Sequence, residues 1–506
     1  MDDNNKNKEE NQQAPTNIYD NEHPTQGTIN LKPETPAVFE TQTIEEVPAG
    51  VEAPVPEEIV EAEKAAGNEP APLMFEENRM KYFIIGGGIL FFVVVLFIIL
   101  KFIFTPAPAR NVKLTYWGLW EEKEIFQPLI DEYQSKNKNV KIDYIKMSAQ
   151  DSYREKLIAR SNNGQGPDIF RFHNTWKYEL KDVLAPLPSN VMATAEFEKT
   201  FYKVHQTDLK IGANYYGLPL YIDGLVLIYN DTMLKDIGIT QAPSTWEDIA
   251  TIAKKMNVTP TSSGNLLSGA IAIGTSSNVE HFAEILSLML VQNGADLRNL
   301  DAPEAAQALE IYRKFAEGKS KSWDDSLPNS VNAFAQGKVA MILAPSWEVL
   351  VINKMNPDIK IKVVSVPTVP GLPPISIANY WVEGVNKHSK EQFEAWKFLK
   401  FLTTADSLSK LYENERKVKL FGEPFSRVDM ASKLAQNEYI APVIKQAPVY
   451  VSLPVVARTF DNGLNDAVVQ YFANAVNAAA QGTAYDEAMK TAKQGIDQVL
   501  KQYGVE

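Results

Sequence analysis

The chain has 506 residues, enough for two or more folded units, and its 45% hydrophobic content is ordinary for globular protein. It contains no cysteine, which excludes disulfides, cysteine-ligated zinc, thiol nucleophiles and a lipid-modified N-terminal cysteine. The formal net charge of -13 is unevenly spread: residues 1–80 hold 18 of the 63 acidic residues and 5 of the 50 basic ones, so the remainder balances at 45 each and carries no basic stripe for nucleic acid.

Residues 1–80 are rich in Glu, Asn, Gln and Pro and keep no sustained period of 2 or 3.6, so a disordered acidic tail is expected there. From Tyr82 to Leu100, YFIIGGGILFFVVVLFIIL is an uncharged run of about 19 residues, the length that crosses a hydrocarbon core as a helix. A single transmembrane helix is expected over 81–104, followed by a linker over 105–110. Gly86 to Gly88 read as a small patch tolerated in a single anchor. The long preceding tail favours an uncleaved anchor over a secretory signal, although Ala107-Pro108-Ala109 resembles a cleavage site. Arg79 and Lys81 face Lys101, Arg110 and Lys113 across the run, so charge does not orient it.

From Asn111 onward strand-like and helix-like segments alternate, the pattern of an α/β fold. VKLTYW reads as a strand. EEKEIFQPLIDEYQSKNK reads as a helix with Ile125, Phe126, Leu129, Ile130 and Tyr133 on one face. VKIDYIKM is a second strand, SYREKLIARSNNGQG a second helix, and PDIFRF a third strand. Then come GLVLIYN, a helix in STWEDIATIAKKM capped by Ser244 or Thr245, an Ala-rich helix near 302–317, KVAMILAP, IKVVSVPTVP, and helices through 390–413 and 463–502. In doubly wound sheets ligands sit beyond the carboxyl ends of the strands, and YWGLW lies at such an end.

Nine segments in fixed order carry a resemblance: LTYWGLWEE…FQPLIDEYQSKNKNVKIDY, GPDIF, YGLPLYIDGLVLIYN, PSTWEDI, AFAQGKVAMILAPSWEV, VPTVPG, HSKEQFEAWKFLKFLTT, FGEPFSR and AYDEAMKTAKQGIDQVLK. Together they resemble the bacterial extracellular solute-binding proteins that include maltose-binding protein and other sugar-binding components of ABC importers. The resemblance implies a two-lobed periplasmic-binding-protein fold over 111–506, with a hinge and an inter-lobe cleft. The first lobe would comprise about 111–222 and 373–422, the second about 223–372 and 423–506, with crossings near Tyr221–Gly224, Pro370–Pro374 and Gly422–Arg427. It also implies an extracytoplasmic domain, a cytoplasmic tail, a small-molecule solute of carbohydrate class, ABC permease subunits as partners, and no cofactor. The family's cleaved signal or lipidated cysteine is replaced here by the acidic tail and apolar run.

Sugar sites pair aromatic faces with carboxylates and amides, because sugars expose C–H patches and a rim of hydroxyls. The candidate ligand-binding residues are Trp117 and Trp120 after the first strand, Asp168 before the third, Tyr221 and Asp223 at the first crossing, Trp347 in APSWEV, Asn379, Tyr380 and Trp381 in ISIANYWVEG, and Arg427 in PFSR. Each has a structural alternative: core packing for Trp117, a helix cap for Asp168, an ion pair for Arg427. Tyr380 and Trp381 are adjacent, so on a strand only one of them faces the ligand. Five scattered histidines give no metal spacing, and His281 with Glu284 reads as a surface pair. With no nucleophile elbow, phosphate loop or dinucleotide fingerprint, no enzyme is expected. Two alternatives remain open: a receptor of the same fold used in signalling or scaffolding, and a carbohydrate-active enzyme working through two carboxylates.

Overall fold

The computed structural model describes residues 77–104, 110–148, 152–256, 265–318 and 321–505. The expected acidic tail lies outside these residues as far as position 76, as does 105–109 of the linker. Glu77–Phe104 is one helix of 28 residues covering the expected anchor, and its side chains at 84–97 are apolar and largely exposed. Among the described residues no helix is long and apolar enough to cross a membrane. Contacts divide the chain into two units, Met1–Ile98 and Ile99–Glu506.

Among the described residues of the second unit, eight of the twelve strands form two four-stranded sheets: β1 Val112–Gly118, β2 Val140–Lys146, β3 Ile169–His173, β4 Leu225–Asn230, β5 Gly269–Ile271, β6 Val339–Pro345, β7 Ile361–Val364 and β8 Trp381–Val385. The first sheet has the order β8-β3-β1-β2, with β1 parallel to β2 and β3 and with β8 antiparallel to β3. The second has the order β5-β6-β4-β7, with β4 antiparallel to both neighbours and β5 parallel to β6. Two sheets, each covered by helices, make the two lobes of an α/β fold. Every residue of β4 and of β6 is buried, as expected of central strands covered on both faces.

The local signals behave as the sequence dictates. Helix Lys123–Lys136 buries Ile125, Phe126, Leu129, Ile130 and Tyr133, the expected face. Helix Trp246–Lys255 starts at Thr245, where a capping box with Asp248 satisfies backbone donors that the first turn leaves free. The helices expected through 390–413 and 463–502 are each a pair: Gln392–Leu402 with Ala405–Arg416, and Leu464–Ala480 with Tyr485–Gln502.

Three segments run side by side between the sheets. Tyr221 bridges Phe425, Ile222 N donates to Pro424 O at 3.0 Å, Gly224 bridges Ala378, and Asn379 N donates to Asp223 O at 2.9 Å. At Gly224 a Cβ would fall 2.3 Å from Ile377 O, so only glycine admits this approach. The backbone pairing of the middle segment falls at Ala378–Asn379, beyond the exposed Gly371–Pro373 turn, because Thr368 still bridges Thr245 of the second lobe.

Arg171 of β3 is fully buried and ties these parts together. Its Nε and Nη2 meet Glu383 Oε1 of β8, both at 2.7 Å, its Nη1 pairs with Glu121, and its guanidinium lies 5.5 Å over the Tyr221 ring of the first crossing. Lys419 approaches Glu121 at 3.7 Å and Glu423 at 3.4 Å, while Glu415 accepts the Tyr221 hydroxyl at 3.1 Å. Burial alone would raise Glu121, but Arg171 and Lys419 outweigh it and hold it low; at Glu383 burial wins and the carboxyl is raised. One arginine thus serves two carboxylates. Removing it strands them in a water-poor core, so Arg171→Ala should lose about 3–5 kcal/mol in denaturant unfolding, whereas an exposed pair such as Lys362–Glu438 should change stability by less than about 1 kcal/mol.

Candidate functional site

Antiparallel pairing of β8 with β3 sets Glu383 opposite Arg171 and Trp381 opposite His173. Because side chains alternate along strands, both pairs stand on the same face of the sheet. The ion cluster therefore supports an aromatic cluster two residues farther along. Trp381 meets Trp120 at 5.7 Å, Trp176 at 5.2 Å and His173 at 5.1 Å, all edge to face. Trp120 and Trp381 are half-buried and Trp176 is buried. Trp120 directly precedes Glu121, so the Arg171 pair also fixes its position.

A hydrogen-bonded chain runs from this cluster into the second lobe. Thr175 N donates to His173 Nδ1, which leaves Nε2 as the donor to Asn379 Oδ1 at 3.0 Å. Asn379 Nδ2 donates to Glu284 Oε1 at 3.3 Å, which also accepts Arg458 N at 3.0 Å. Burial pushes His173 down to about 4, so its ring is neutral. His281 lies between Glu284, 3.7 Å away, and Glu348, 3.1 Å away. Burial would lower it, but the two carboxylates outweigh burial and push it up to about 10. The surface pair expected of His281 and Glu284 is thus a buried trio with Glu348: helix Phe282–Gln292 is covered nearly all round, which spacing along one helix does not reveal.

Of the ten candidates, Trp120, Trp381 and Asn379 gather here. Trp347, half-buried beside the His281 ring at 6.0 Å, stands at the second lobe's end of the chain. The others are committed elsewhere. Trp117 is core under Arg160. Asp168 accepts Thr115 N at 2.8 Å and Ser389 Oγ at 2.5 Å, fastening the start of β3 at the opposite end of the strand from His173. Tyr221 belongs to the ion cluster, and Asp223 accepts Gly224 N, Ser346 N and Ser346 Oγ at 2.7, 3.2 and 3.0 Å. Tyr380 turns away from Trp381, as alternation requires, and donates to Asp208 at 2.8 Å in the core. Arg427 pairs with Asp429 and donates to Thr403 O. His173, Trp176, Glu284 and Arg458 were missed by sequence reasoning; the aromatic in HNTW, just past the third strand, was the available signal for Trp176.

Two surface concavities lie away from this cluster. One of about 500 Å³ is lined by Val364, Ala435 and Ile444, and another of about 350 Å³ by Trp246 and Phe315. Among the described residues no group of three His, Asp or Glu is arranged to hold a metal ion.

Two lobes joined by three adjacent crossings, paired antiparallel where they bridge, with an aromatic and amide cluster between them, define a hinged binding protein. The chain matches the family of bacterial extracellular solute-binding proteins over residues 128–416 and belongs to it; its relatives are solute-binding proteins, not enzymes. The diacetylchitobiose binding protein DasA of Streptomyces coelicolor is 27% identical over 303 residues, covering 56% of this chain and 66% of that protein. A maltotriose-binding protein of Pyrococcus abyssi is 20% identical over 417 residues, 78% of this chain and 82% of its own. A crystal structure of a cyclo/maltodextrin-binding protein complexed with maltotetraose superposes with a TM-score of 0.64 at 19% identity, over 78% of this chain and 99% of that one.

Three buried carboxyls are raised by burial first: Asp223 to about 7, Glu415 to about 8 and Glu179 to about 8. A group with a higher pKa folded than unfolded contributes stability that is complete below the unfolded value of about 4 and is lost as pH rises through the folded one. His281 acts in the same direction, its contribution fading between about 6.5 and about 10. The depressed His173 works in the opposite sense up to its unfolded value of about 6.5, so melting temperature should fall from about pH 6.5 to pH 8.5, and Glu415→Gln should flatten that fall in a differential scanning series.

Proposed function

We propose that this chain is a receptor that captures a sugar or oligosaccharide between its lobes on the extracytoplasmic side and delivers it to the permease of an ABC importer. The observation that carries the reading is the cluster of Trp120, Trp176 and Trp381 reaching through Asn379 to Glu284. Indole faces suit the C–H patches of sugar rings, and amide and carboxylate groups suit their hydroxyls. The diacetylchitobiose, maltotriose and maltotetraose of its relatives support the carbohydrate class. Trp120, Trp347, Asn379 and Trp381 are the proposed contacts from the sequence, joined by Trp176 and Arg458. The lobe partition is proposed as expected, 111–222 with 373–422 and 223–372 with 423–506. The helix over 81–104 is proposed as the tether, on the strength of its uncharged run from Tyr82 to Leu100.

Ligand favours closure only to the extent that it contacts both lobes at once. Titration calorimetry with maltose, maltotriose, maltotetraose and diacetylchitobiose should give saturable binding to at least one sugar, and Trp381→Ala should weaken that binding tenfold or more, about 1.4 kcal/mol. No binding across such a panel by folded protein would refute the carbohydrate reading. For the tether, deletion of 81–104 should release the chain from the membrane fraction.

A further inference from the structure

Outside the aromatic cluster, the lobes meet at a second, wholly polar contact. Arg154, on the first lobe's helix Tyr153–Asn162, and Glu179, just past Trp176, touch at 2.9 Å and are almost completely buried. Both reach the segment that opens helix Leu464–Ala480. This helix belongs to the second lobe: it packs on helices Tyr485–Gln502 and Pro303–Lys314, and its Asn477 accepts Ser276 Oγ at 2.9 Å. Arg154 donates through Nε and Nη2 to Asp461 O at 3.0 and 2.8 Å, and Glu179 Oε1 accepts Leu464 N at 3.0 Å. A carboxyl oxygen from one lobe thus accepts one of the backbone donors that the N-terminus of a helix in the other leaves free.

The receiving segment is shaped for this grip. A Cβ at Gly463 would fall 2.0 Å from Glu179 Oε1 and 2.8 Å from Arg154 Nη2, so the pair reaches its partners only across glycine. Phe460 and Asn462, on either side of Asp461, both have φ of 51°, a region that non-glycine residues seldom occupy and that persists where neighbours enforce it. The neighbours come from both lobes. Trp176 Nε1 donates to Thr459 Oγ1 at 3.0 Å and Asn465 Nδ2 to Thr175 Oγ1 at 2.5 Å from the first lobe's side. On the other side Arg458 donates to Glu284 and Glu280, and its guanidinium lies 5.0 Å over the Phe460 ring.

We propose that Arg154 and Glu179 form a clasp that grips the strained 457–463 loop and holds the two lobes together in the absence of solute, setting the open-closed balance on which solute affinity depends. The clasp residues are positioning residues that need not touch solute. By holding the competent arrangement populated they lower the conformational cost that binding otherwise bears. The inference rests on the hinged-receptor reading and is independent of which solute is carried.

The test measures the lobe separation directly, without solute. Because the chain has no cysteine, Lys141→Cys on the first lobe and Lys254→Cys on the second, both exposed, give two unique spin-label positions in the full-length protein. Pulsed electron double resonance should show one dominant distance in the parent. Arg154→Met and Gly463→Ala should each add a longer distance and lower the closed-to-open ratio about tenfold. Glu179→Gln keeps the acceptor oxygen for Leu464 N and should stay near the parent. Circular dichroism separates lobe opening from unfolding, and the Gln variant supplies a folded reference. An unchanged distance distribution in folded Arg154→Met and Gly463→Ala, or a parent already as broad as they are, would overturn the clasp. Failure of every sugar to bind would refute the carbohydrate reading and leave this measurement intact.

Discussion

A single buried arginine organises the aromatic face of the first lobe. Arg171 is held between Glu121 and Glu383, so the turn after β1, the strand β3 and the returning strand β8 are locked in one register. A buried ion pair is costly to form, and against an apolar triad of the same shape it gains little stability. What it supplies here is position. Trp120 is the neighbour of Glu121, and Trp381 and His173 lie two residues beyond Glu383 and Arg171 on the same face. A slip of one residue between β3 and β8 would turn both the Trp381 indole and the Glu383 carboxyl to the opposite face of the sheet, away from His173 and Arg171.

The same cluster reaches the hinge. Tyr221 lies under the Arg171 guanidinium and donates to Glu415, while Glu423 N donates to Glu415 Oε2 at 2.7 Å. The first and third crossings are therefore fastened to the sheet that presents the aromatic residues. The middle crossing carries Asn379, whose amide joins His173 of one lobe to Glu284 of the other. A group bound among the indoles would meet a lattice of hydrogen bonds already spanning both lobes, so few bonds need to be exchanged for a lobe movement to be felt at the site.

Two kinds of inter-lobe contact divide the work. In the aromatic cluster Trp120 and Trp381 are half-buried and Trp176 is buried. The Arg154–Glu179 contact is buried and almost saturated, which suits a fixed partner. Strain at Phe460 and Asn462 lies next to the second kind.

Much of this was legible in the sequence because it depends on local periods and local chemistry. The helix face from Ile125 to Tyr133 follows from spacing of 3.6, the cap at Thr245 from hydroxyl and carboxylate chemistry three residues apart, and the apolar strands β4 and β6 from burial on both sides. Trp120 stood out because it follows a strand end and a glycine, and the opposed directions of Tyr380 and Trp381 follow from alternation. Tertiary structure decided the rest. Asp168, Asp223 and Arg427 have the residue types of a ligand site, and in the fold they meet Ser389, Ser346 and Asp429, partners 221, 123 and 2 residues away. His173, Glu284 and Arg458 look unremarkable in sequence and meet only because three crossings bring two sheets together. Sequence determines what a side chain is able to do within its own turn or strand; whether it is free to do so depends on which distant partner reaches it first, and only the folded chain fixes that.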